Sequence, residues 1–455
     1  MIRSPLLLGL LAGAALCAVT TGPASAQTFA IVNARIEPVS SAAIPSGTIL
    51  VQNGKIAAVG AGVAVPAGVT TIDAKGGVVT PGLVAPSSNI SASEIGGVRE
   101  TRDDGTGAAL SAGFDIAYSV NPSSPMIGLA RDGGVTSSAV TPILSGVVGG
   151  GHEHADDGVV EEMTAGKDGG GDPPLFGGQA AFVRLKAGES DIVSKSKTAV
   201  TLSLGEAGAR AAGGSRGAAI VLVKSALQDA RAFAKNRAAF EQGATRDYGL
   251  SRLDLEALVP VVQGKTPLLI RAHRASDIRL ALKLAAEEKI RIVLEGAEEG
   301  WIVAGEIARA GVPVIVDTQA DLPDSFETLG SRLDNAARLN AAGVTVAING
   351  ARDFNNLRQE RLNAGLAVAN GLPYPAALAA ITLTPARIWG MADQIGSLDV
   401  GKTADLVLWT GDPLETTTWA DKVFIGGVEQ PADSRQTQLR DRYAGQDNGL
   451  PPAYR

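Results

Sequence analysis

Histidine, a side chain that can do both acid–base and metal chemistry, is scarce in this 455-residue sequence. Its three copies are His152, His154 and His273. The first two flank Glu153 and precede two aspartates, Asp156 and Asp157, a grouping of imidazoles and carboxylates that suits a divalent metal, zinc above all. The surrounding residues 149–178 are rich in glycine and acidic side chains and poor in apolar ones. They predict a mobile surface loop, in which the cluster is either a metal site or a solvated polar segment.

His273 has a different setting, at the predicted carboxyl end of the apolar strand 267–270. Side chains at such strand ends line the pocket of a parallel barrel, so His273 is a candidate catalytic base or metal ligand. The alternative is a histidine that only hydrogen-bonds a neighbour and fixes a loop. Arg271 beside it must find a partner if it points inward, and Glu295 on the next predicted strand is the nearest one. We therefore predict an Arg271–Glu295 pair that contacts substrate.

The N-terminus has the pattern of a secretory signal. Arg3 precedes an apolar run at residues 6–19, and Ala24-Ser25-Ala26 fits signal peptidase, so we predict cleavage after Ala26 and export to a periplasm. A membrane anchor is the alternative, but a spanning helix needs about 20 apolar residues. Cys17, the only cysteine, lies within the signal. The mature chain would then have no cysteine nucleophile, disulfide or cysteine-ligated zinc.

Charge and composition narrow the choice of partners. The net charge is −7 and no basic cluster stands out, which argues against nucleic acid and, after removal of the signal, against membranes. A small-molecule substrate or ligand fits better, and an oligomer is compatible with the sequence. The mature length suits one barrel-sized domain with a smaller one.

The elements that must position these residues follow from hydrophobic periodicity. Residues 28–80 and 396–429 have short strand patterns, including an Asn53-Gly54 hairpin turn, and predict one small β domain built from both chain ends. The middle alternates short apolar strands with amphipathic helices, which predicts a parallel sheet and, at this length, a (β/α)8 barrel of the TIM type. A doubly wound open sheet is the alternative. Predicted helices include one capped by Ser276, one over 298–310 and one over 326–341.

Two motifs resemble the amidohydrolase superfamily, particularly its imidazolonepropionase-like, periplasmic members. They are residues 78–84, VVTPGLV, and residues 383–408, LTPARIWG followed by IGSLDVGKTADLVL. The resemblance spans roughly residues 28–430 and implies an α/β (β/α)8 barrel with a composite β-sandwich. The implied domains are a signal at 1–26, sandwich strands at 27–80, a barrel at 81–391 containing the loop 149–178, further sandwich strands at 392–431 and a tail at 432–455.

The resemblance also implies hydrolysis of C–N bonds by one or two divalent metals. The family ligand pair after strand one falls on Ser87 and Asn89, which are poor zinc ligands. The histidine after strand five matches His273, that after strand six falls on Gly296, and the aspartate after strand eight falls near Ala351, with Asp353 two residues on. One of five ligands is kept, so the metal site is degenerate, with no metal or a single divalent ion, most readily zinc.

Two functions follow from these observations. The first is an amidohydrolase-type hydrolase of small cyclic amide or peptide-like substrates, in which His273 acts as base or ligand and Arg271, Glu295, Ser87, Asn89 and Asp353 contact the substrate. His273, His152 and His154 are the candidates for a rebuilt metal site. The second is a catalytically inactive pseudoenzyme, whose barrel binds a small ligand or a partner in the periplasm.

Overall fold

The computed structural model describes residues 28–95, 98–105, 110–143, 174–320, 323, 325–350, 357–432 and 435–444. The predicted signal segment, His152, His154 and Asp353 lie outside these residues, so the predictions made for them stay predictions. The predicted loop 149–178 ends too late, because residues 176–178 belong to a buried strand, Phe176–Gln179. Phe176 gives this segment an apolar anchor that the glycine-rich composition obscured.

The strands follow one another along the described chain. They are β1 (Phe29–Ile36), β2 (Ile44–Gln52), β3 (Lys55–Gly60), β4 (Thr70–Asp73), β5 (Val78–Pro81), β6 (Leu83–Ser88), β7 (Val135–Val140), β8 (Phe176–Gln179), β9 (Ala181–Arg184), β10 (Val193–Lys195), β11 (Val200–Ser203), β12 (Leu268–Ala272), β13 (Ile292–Gly296), β14 (Val314–Asp317), β15 (Val346–Asn349), β16 (Leu406–Trp409), β17 (Ala420–Ile425) and β18 (Val428–Glu429).

Helices occupy most of the connections between the middle strands. They are α1 (Pro125–Asp132), α2 (Gly205–Ala211), α3 (Arg216–Lys235), α4 (Arg237–Glu241), α5 (Arg252–Val262), α6 (Ala275–Glu288), α7 (Ala304–Ala310), α8 (Asn335–Ala341), α9 (Glu360–Ala369), α10 (Tyr374–Ala380), α11 (Leu383–Ile388) and α12 (Arg435–Ala444).

One eight-stranded sheet combines strands from both ends of the chain. Its order is β18-β17-β16-β5-β1-β2-β3, with β4 added beside β1. The turn between β2 and β3 is formed by Asn53 and Gly54, both with positive φ (51° and 76°), as the hairpin prediction required. The β16–β5 pairing joins the two motif segments, since Leu406 lies opposite Pro81. Whether the sheet forms part of a sandwich stays a prediction.

The middle of the chain forms two further sheets. One has the order β15-β14-β13-β12-β11-β8, and its strands β11 to β15 are parallel; the other has the order β10-β9-β7-β6, with β6 and β7 parallel. Alternate residues of both sheets meet in one buried cluster with Trp389 and Met391. This is an α/β fold with parallel strands whose inward side chains share a core. Closure into a complete barrel stays a prediction.

Three predicted helices differ in detail from the structure. The helix expected to be capped by Ser276 begins two residues earlier, at Ala275, with Arg274 at its N-cap position and no side-chain cap. The helix expected over 298–310 is a 3-10 turn at Gly300–Ile302 followed by α7. The one expected over 326–341 is reduced to α8, and Phe326 is exposed instead of packing as a helix residue would. Helical periodicity alone therefore overestimates helix length where turns precede the helix.

No helix within the described ranges is long and apolar enough to cross a membrane. The C-terminal tail, predicted to lie on the surface, contains the polar helix α12, whose side chains from Thr437 to Ala444 are largely exposed.

Candidate functional site

The predicted Arg271–Glu295 pair is present at the carboxyl ends of β12 and β13. The two residues are direct neighbours in the parallel register, so their side chains leave the sheet on the same face. Arg271 donates from Nε (3.1 Å) and Nη2 (2.6 Å) to Glu295 Oε2. The side chains are only 21% and 7% exposed, which makes this a largely buried ion pair.

Ser87 extends the pair to the opposite sheet. Its Oγ donates to Glu295 Oε1 at 2.5 Å and lies 2.8 Å from Thr141 Oγ1, and both hydroxyl side chains are buried. Ser87 belongs to β6 and Thr141 follows β7, so the hydrogen bonds connect the ends of β6, β7, β12 and β13. A position at which the resemblance implies a metal ligand here donates a hydrogen bond to a carboxylate.

His273 is oriented by a carboxylate that the sequence analysis did not single out. Its Nδ1 lies 2.6 Å from Glu298 Oε2. Burial lowers the pKa of His273, but the charge and the hydrogen bond of Glu298 outweigh burial, so the pKa lies above its ordinary value near 6.5. A carboxylate at Nδ1 holds the proton of the neutral ring there and leaves Nε2 as the acceptor. Nε2 has no hydrogen-bond partner among the described residues.

Gly296 makes room for this arrangement. Its φ is +90°, a conformation that residues with a Cβ rarely adopt, and a Cβ built there would lie 2.8 Å from His273 Nδ1 and 3.2 Å from Glu298 Oε2. Gly296 is the position at which the family resemblance expects a histidine. In this chain a side chain at that position would collide with the His273–Glu298 pair.

A cavity of about 120 Å³ lies beside these groups, at the carboxyl ends of β12 to β15. Its walls combine charged, polar and apolar residues: Arg271, His273, Glu295, Gly296, Ile315, Val316, Asp317 and Asn349. The cavity thus presents an imidazole, a guanidinium and carboxylates to whatever enters it. Such a small polar cavity at strand ends is the expected place for acid–base chemistry or ligand binding in this fold class.

The structure brings together some of the predicted site residues and not others. His273, Arg271 and Glu295 share the cavity, and Ser87 is joined to it through Glu295. Asn89, predicted to contact substrate, instead donates to Asp104 (3.1 Å) and does not line the cavity.

Glu298, Thr141 and Asn349 are the additions that sequence reasoning missed. Thr141 and Asn349 directly follow or end a strand, a signal that was available. Glu298 depends on the left-handed turn at Gly296 and Ala297, which no periodicity reveals.

The described residues do not fit a metal centre of the family kind. Within the part of the chain that the structure describes, no three side chains of His, Cys, Asp or Glu are grouped to hold an ion. Ser87 Oγ is committed to Glu295 and Thr141, and His273 Nδ1 is committed to Glu298. Among these side chains, only His273 Nε2 is left to bind a metal at the strand ends, whereas zinc sites use three or four protein ligands.

Comparison with known proteins agrees with the fold. Residues 241–429 match the model of the Amidohydrolase family. The chain is 41% identical over 113 residues to a 5-methylthioadenosine/S-adenosylhomocysteine deaminase of Desulforudis audaxviator, covering 23% of this chain and 25% of that protein. It is 40% identical over 128 residues to an imidazolonepropionase of Aromatoleum aromaticum, covering 25% and 31%. The chain thus spans less than a third of the length of either curated relative.

A solved structure gives broader coverage. The crystal structure of an amidohydrolase from Thermotoga maritima has a TM-score of 0.75 to this chain at 25% identity, covering 88% of this chain and 99% of that one. The fold of this chain is consistent with these matches, since it has β-rich ends with parallel strands between them. Residues 241–429 therefore belong to the Amidohydrolase family, and the chain shares the amidohydrolase fold over most of its length.

Proposed function

We propose that this protein hydrolyses C–N bonds of small amide substrates, cyclic or peptide-like, with His273 as general base in place of metal activation. The observation that carries the proposal is the 2.6 Å pairing of His273 Nδ1 with Glu298 beside the cavity. An imidazole held by a carboxylate at one nitrogen offers the other nitrogen to a proton, the arrangement that general acid–base catalysis requires.

The cavity residues allow a balanced reaction. His273 Nε2 takes a proton from water as the water oxygen bonds to the amide carbon, and the imidazolium then gives that proton to the departing nitrogen as the C–N bond breaks. Arg271 commits Nε and Nη2 to Glu295, whereas its Nη1 has no partner among the described residues. That nitrogen can donate to the carbonyl oxygen as negative charge develops, and such donation is strong in a site that excludes water.

Cavity size supports a small substrate. A volume of about 120 Å³ is below the roughly 300–1,000 Å³ of typical ligand pockets, and it accommodates a few heavy atoms around the scissile bond. Folded polypeptides are poor substrates for such a site. Cyclic amides, ureides and dipeptides remain as the substrate classes.

The test is a turnover screen of the mature protein after dialysis against a chelator. The probes are dihydrouracil, hydantoin, N-acetyl amino acids and dipeptides. Hydrolysis is measured as release of amine or as opening of the ring. We expect turnover of at least one probe without added metal. Turnover that vanishes after chelation and returns with zinc would contradict general-base catalysis by His273 and indicate a rebuilt metal site instead.

A binding barrel without catalysis is the second candidate. It is favoured by the Arg271–Glu295–Ser87–Thr141 network, which occupies the strand ends with groups already hydrogen-bonded to one another. A protein of this kind would bind one of the same probes without converting it. This function would be favoured over hydrolysis if calorimetry detects binding of a probe and the same probe is recovered unchanged after long incubation.

We also propose that the chain is exported to a periplasm and cleaved after Ala26, on the strength of its N-terminal pattern alone. Expression of the full chain in a bacterium should yield a periplasmic protein whose first residue is Gln27. N-terminal sequencing of the fractionated protein measures this directly. An uncleaved chain recovered with the membranes would favour an anchor.

A further inference from the structure

Glu360 is a buried carboxylate that receives no hydrogen bond from the described residues. It is the first residue of α9, it is 0% exposed, and neither of its carboxylate oxygens has a hydrogen-bond partner. Burial raises the pKa of Glu360 well above its usual range. A buried charge without a partner costs several kcal/mol, so an ionised Glu360 calls for a compensating group that the described residues do not supply.

Further oxygen atoms without donors surround the same helix end. Asn363 lies three residues after Glu360, so the two side chains share one face of α9. Asn363 donates from Nδ2 to the backbone oxygen of Asn349 (3.0 Å), which leaves the Oδ1 atoms of both asparagines buried and without partners. Thr318 donates to the Asn363 carbonyl (2.8 Å), placing a hydroxyl oxygen at the same junction.

The adjacent cation is committed elsewhere. Arg361 directs its guanidinium to the carbonyls of Pro413, Glu415 and Thr418. The junction of α9 with the ends of β14 and β15 therefore combines one carboxylate with amide and hydroxyl oxygens. Oxygen-only donor sets select hard cations, and a single carboxylate balances one positive charge.

We propose that a monovalent alkali cation, sodium or potassium, binds between Glu360, Asn363 and Asn349. The cation neutralises Glu360 and takes the two orphaned amide oxygens as ligands. Because Asn349 also lines the cavity and is paired in register with Asp317, the bound ion fixes the part of the cavity wall that β14 and β15 form. The ion is a structural ligand, and the proposal holds for a hydrolase or a binding barrel alike.

The experiment measures the melting temperature of the mature protein in sodium, potassium or choline chloride at equal ionic strength. We expect a rise of about 3 °C at saturating sodium or potassium over choline, the size expected when an ion binds only the folded state of a chain this long. Glu360→Gln should abolish the rise, because the amide nitrogen of Gln can donate to the orphaned oxygens without a cation. Glu306→Gln is the matched control: Glu306 is exposed on α7 and paired with Arg279, and its loss should leave the rise unchanged.

Two results would overturn the proposal. Equal melting in all three salts would mean that Glu360 is simply protonated, and stability would then fall as pH rises above about 4.5 in every salt. A fourth measurement in calcium chloride completes the test, because stabilisation by calcium with none by sodium or potassium would exclude the monovalent ion. Should Glu360→Gln fail to fold, rubidium-soaked crystals of the natural protein decide the matter, since an anomalous peak must lie within bonding distance of the Glu360 carboxylate.

Discussion

Arg271→Ala is expected to lower the free energy of unfolding by about 3–5 kcal/mol, because it leaves the Glu295 carboxylate buried without its guanidinium. Glu295 is 7% exposed and would retain the Ser87 hydroxyl, which supplies one hydrogen bond but no charge. Urea unfolding followed by circular dichroism measures the loss. The double variant Arg271→Ala/Glu295→Ala should lose less than the sum of the single changes, since it removes the buried carboxylate together with the guanidinium.

The Arg279–Glu306 pair supplies the control for this measurement. It has similar geometry, with 2.8 Å between Nη2 and Oε1, but its side chains are 50% and 37% exposed. Arg279→Ala should therefore cost less than about 1 kcal/mol. If Arg271→Ala and Arg279→Ala cost the same, the Arg271–Glu295 pair is solvated in solution and does not organise the strand ends.

The sequence predicted this pair because parallel strands of similar length set their own register. Once 267–270 and 291–294 are recognised as neighbouring apolar strands, Arg271 and Glu295 must lie side by side at their carboxyl ends. The alternation of strand and helix and the β-rich chain ends follow from period-two and period-3.6 patterns in the same way. Local periodicity is thus sufficient for the α/β class, the sheet neighbours and one half of the site.

The other half depends on contacts between segments far apart in sequence. Ser87 lies 208 residues from Glu295, and nothing in its local pattern indicates that its hydroxyl meets that carboxylate. Glu298 reaches His273 only because Gly296 and Ala297 both have positive φ, which turns the chain back over the strand end. Asn89 was assigned to the site by motif spacing, yet its side chain bonds Asp104 and is not among the residues that line the cavity. The distance of a residue from a motif in the sequence predicts where the strand ends, but it does not predict the direction of the chain after the strand.

His273→Ala should reduce kcat about 100- to 10,000-fold for any amide that the protein hydrolyses, the usual contribution of a general base. In the natural protein, kcat/KM should rise with pH to a plateau, and the midpoint of the rise should lie above pH 6.5. The reason is that Glu298 raises the pKa of His273 and only the neutral ring accepts a proton. Glu298→Gln should move that midpoint to lower pH while reducing the plateau, since the amide removes the charge and no longer fixes the ring tautomer. Stopped assays across pH 5–9 measure both.

The titration of His273 should also change the stability of the protein with pH, and a purely structural histidine would produce the same change. Protonated His273 beside Glu298 contributes stability that is fully present below the unfolded pKa of about 6.5 and is lost as pH rises through the raised folded pKa. Melting temperature should therefore fall across that window in the natural protein and stay flat in His273→Ala. Loss of the melting slope together with unchanged turnover would make His273 a purely structural residue, and the base would have to be sought among Asp317 and Glu295, which line the same cavity. Loss of turnover in His273→Ala, together with a kcat/KM midpoint that Glu298→Gln moves to lower pH, identifies His273 as the base, because the ionisation of a proton acceptor controls the rate.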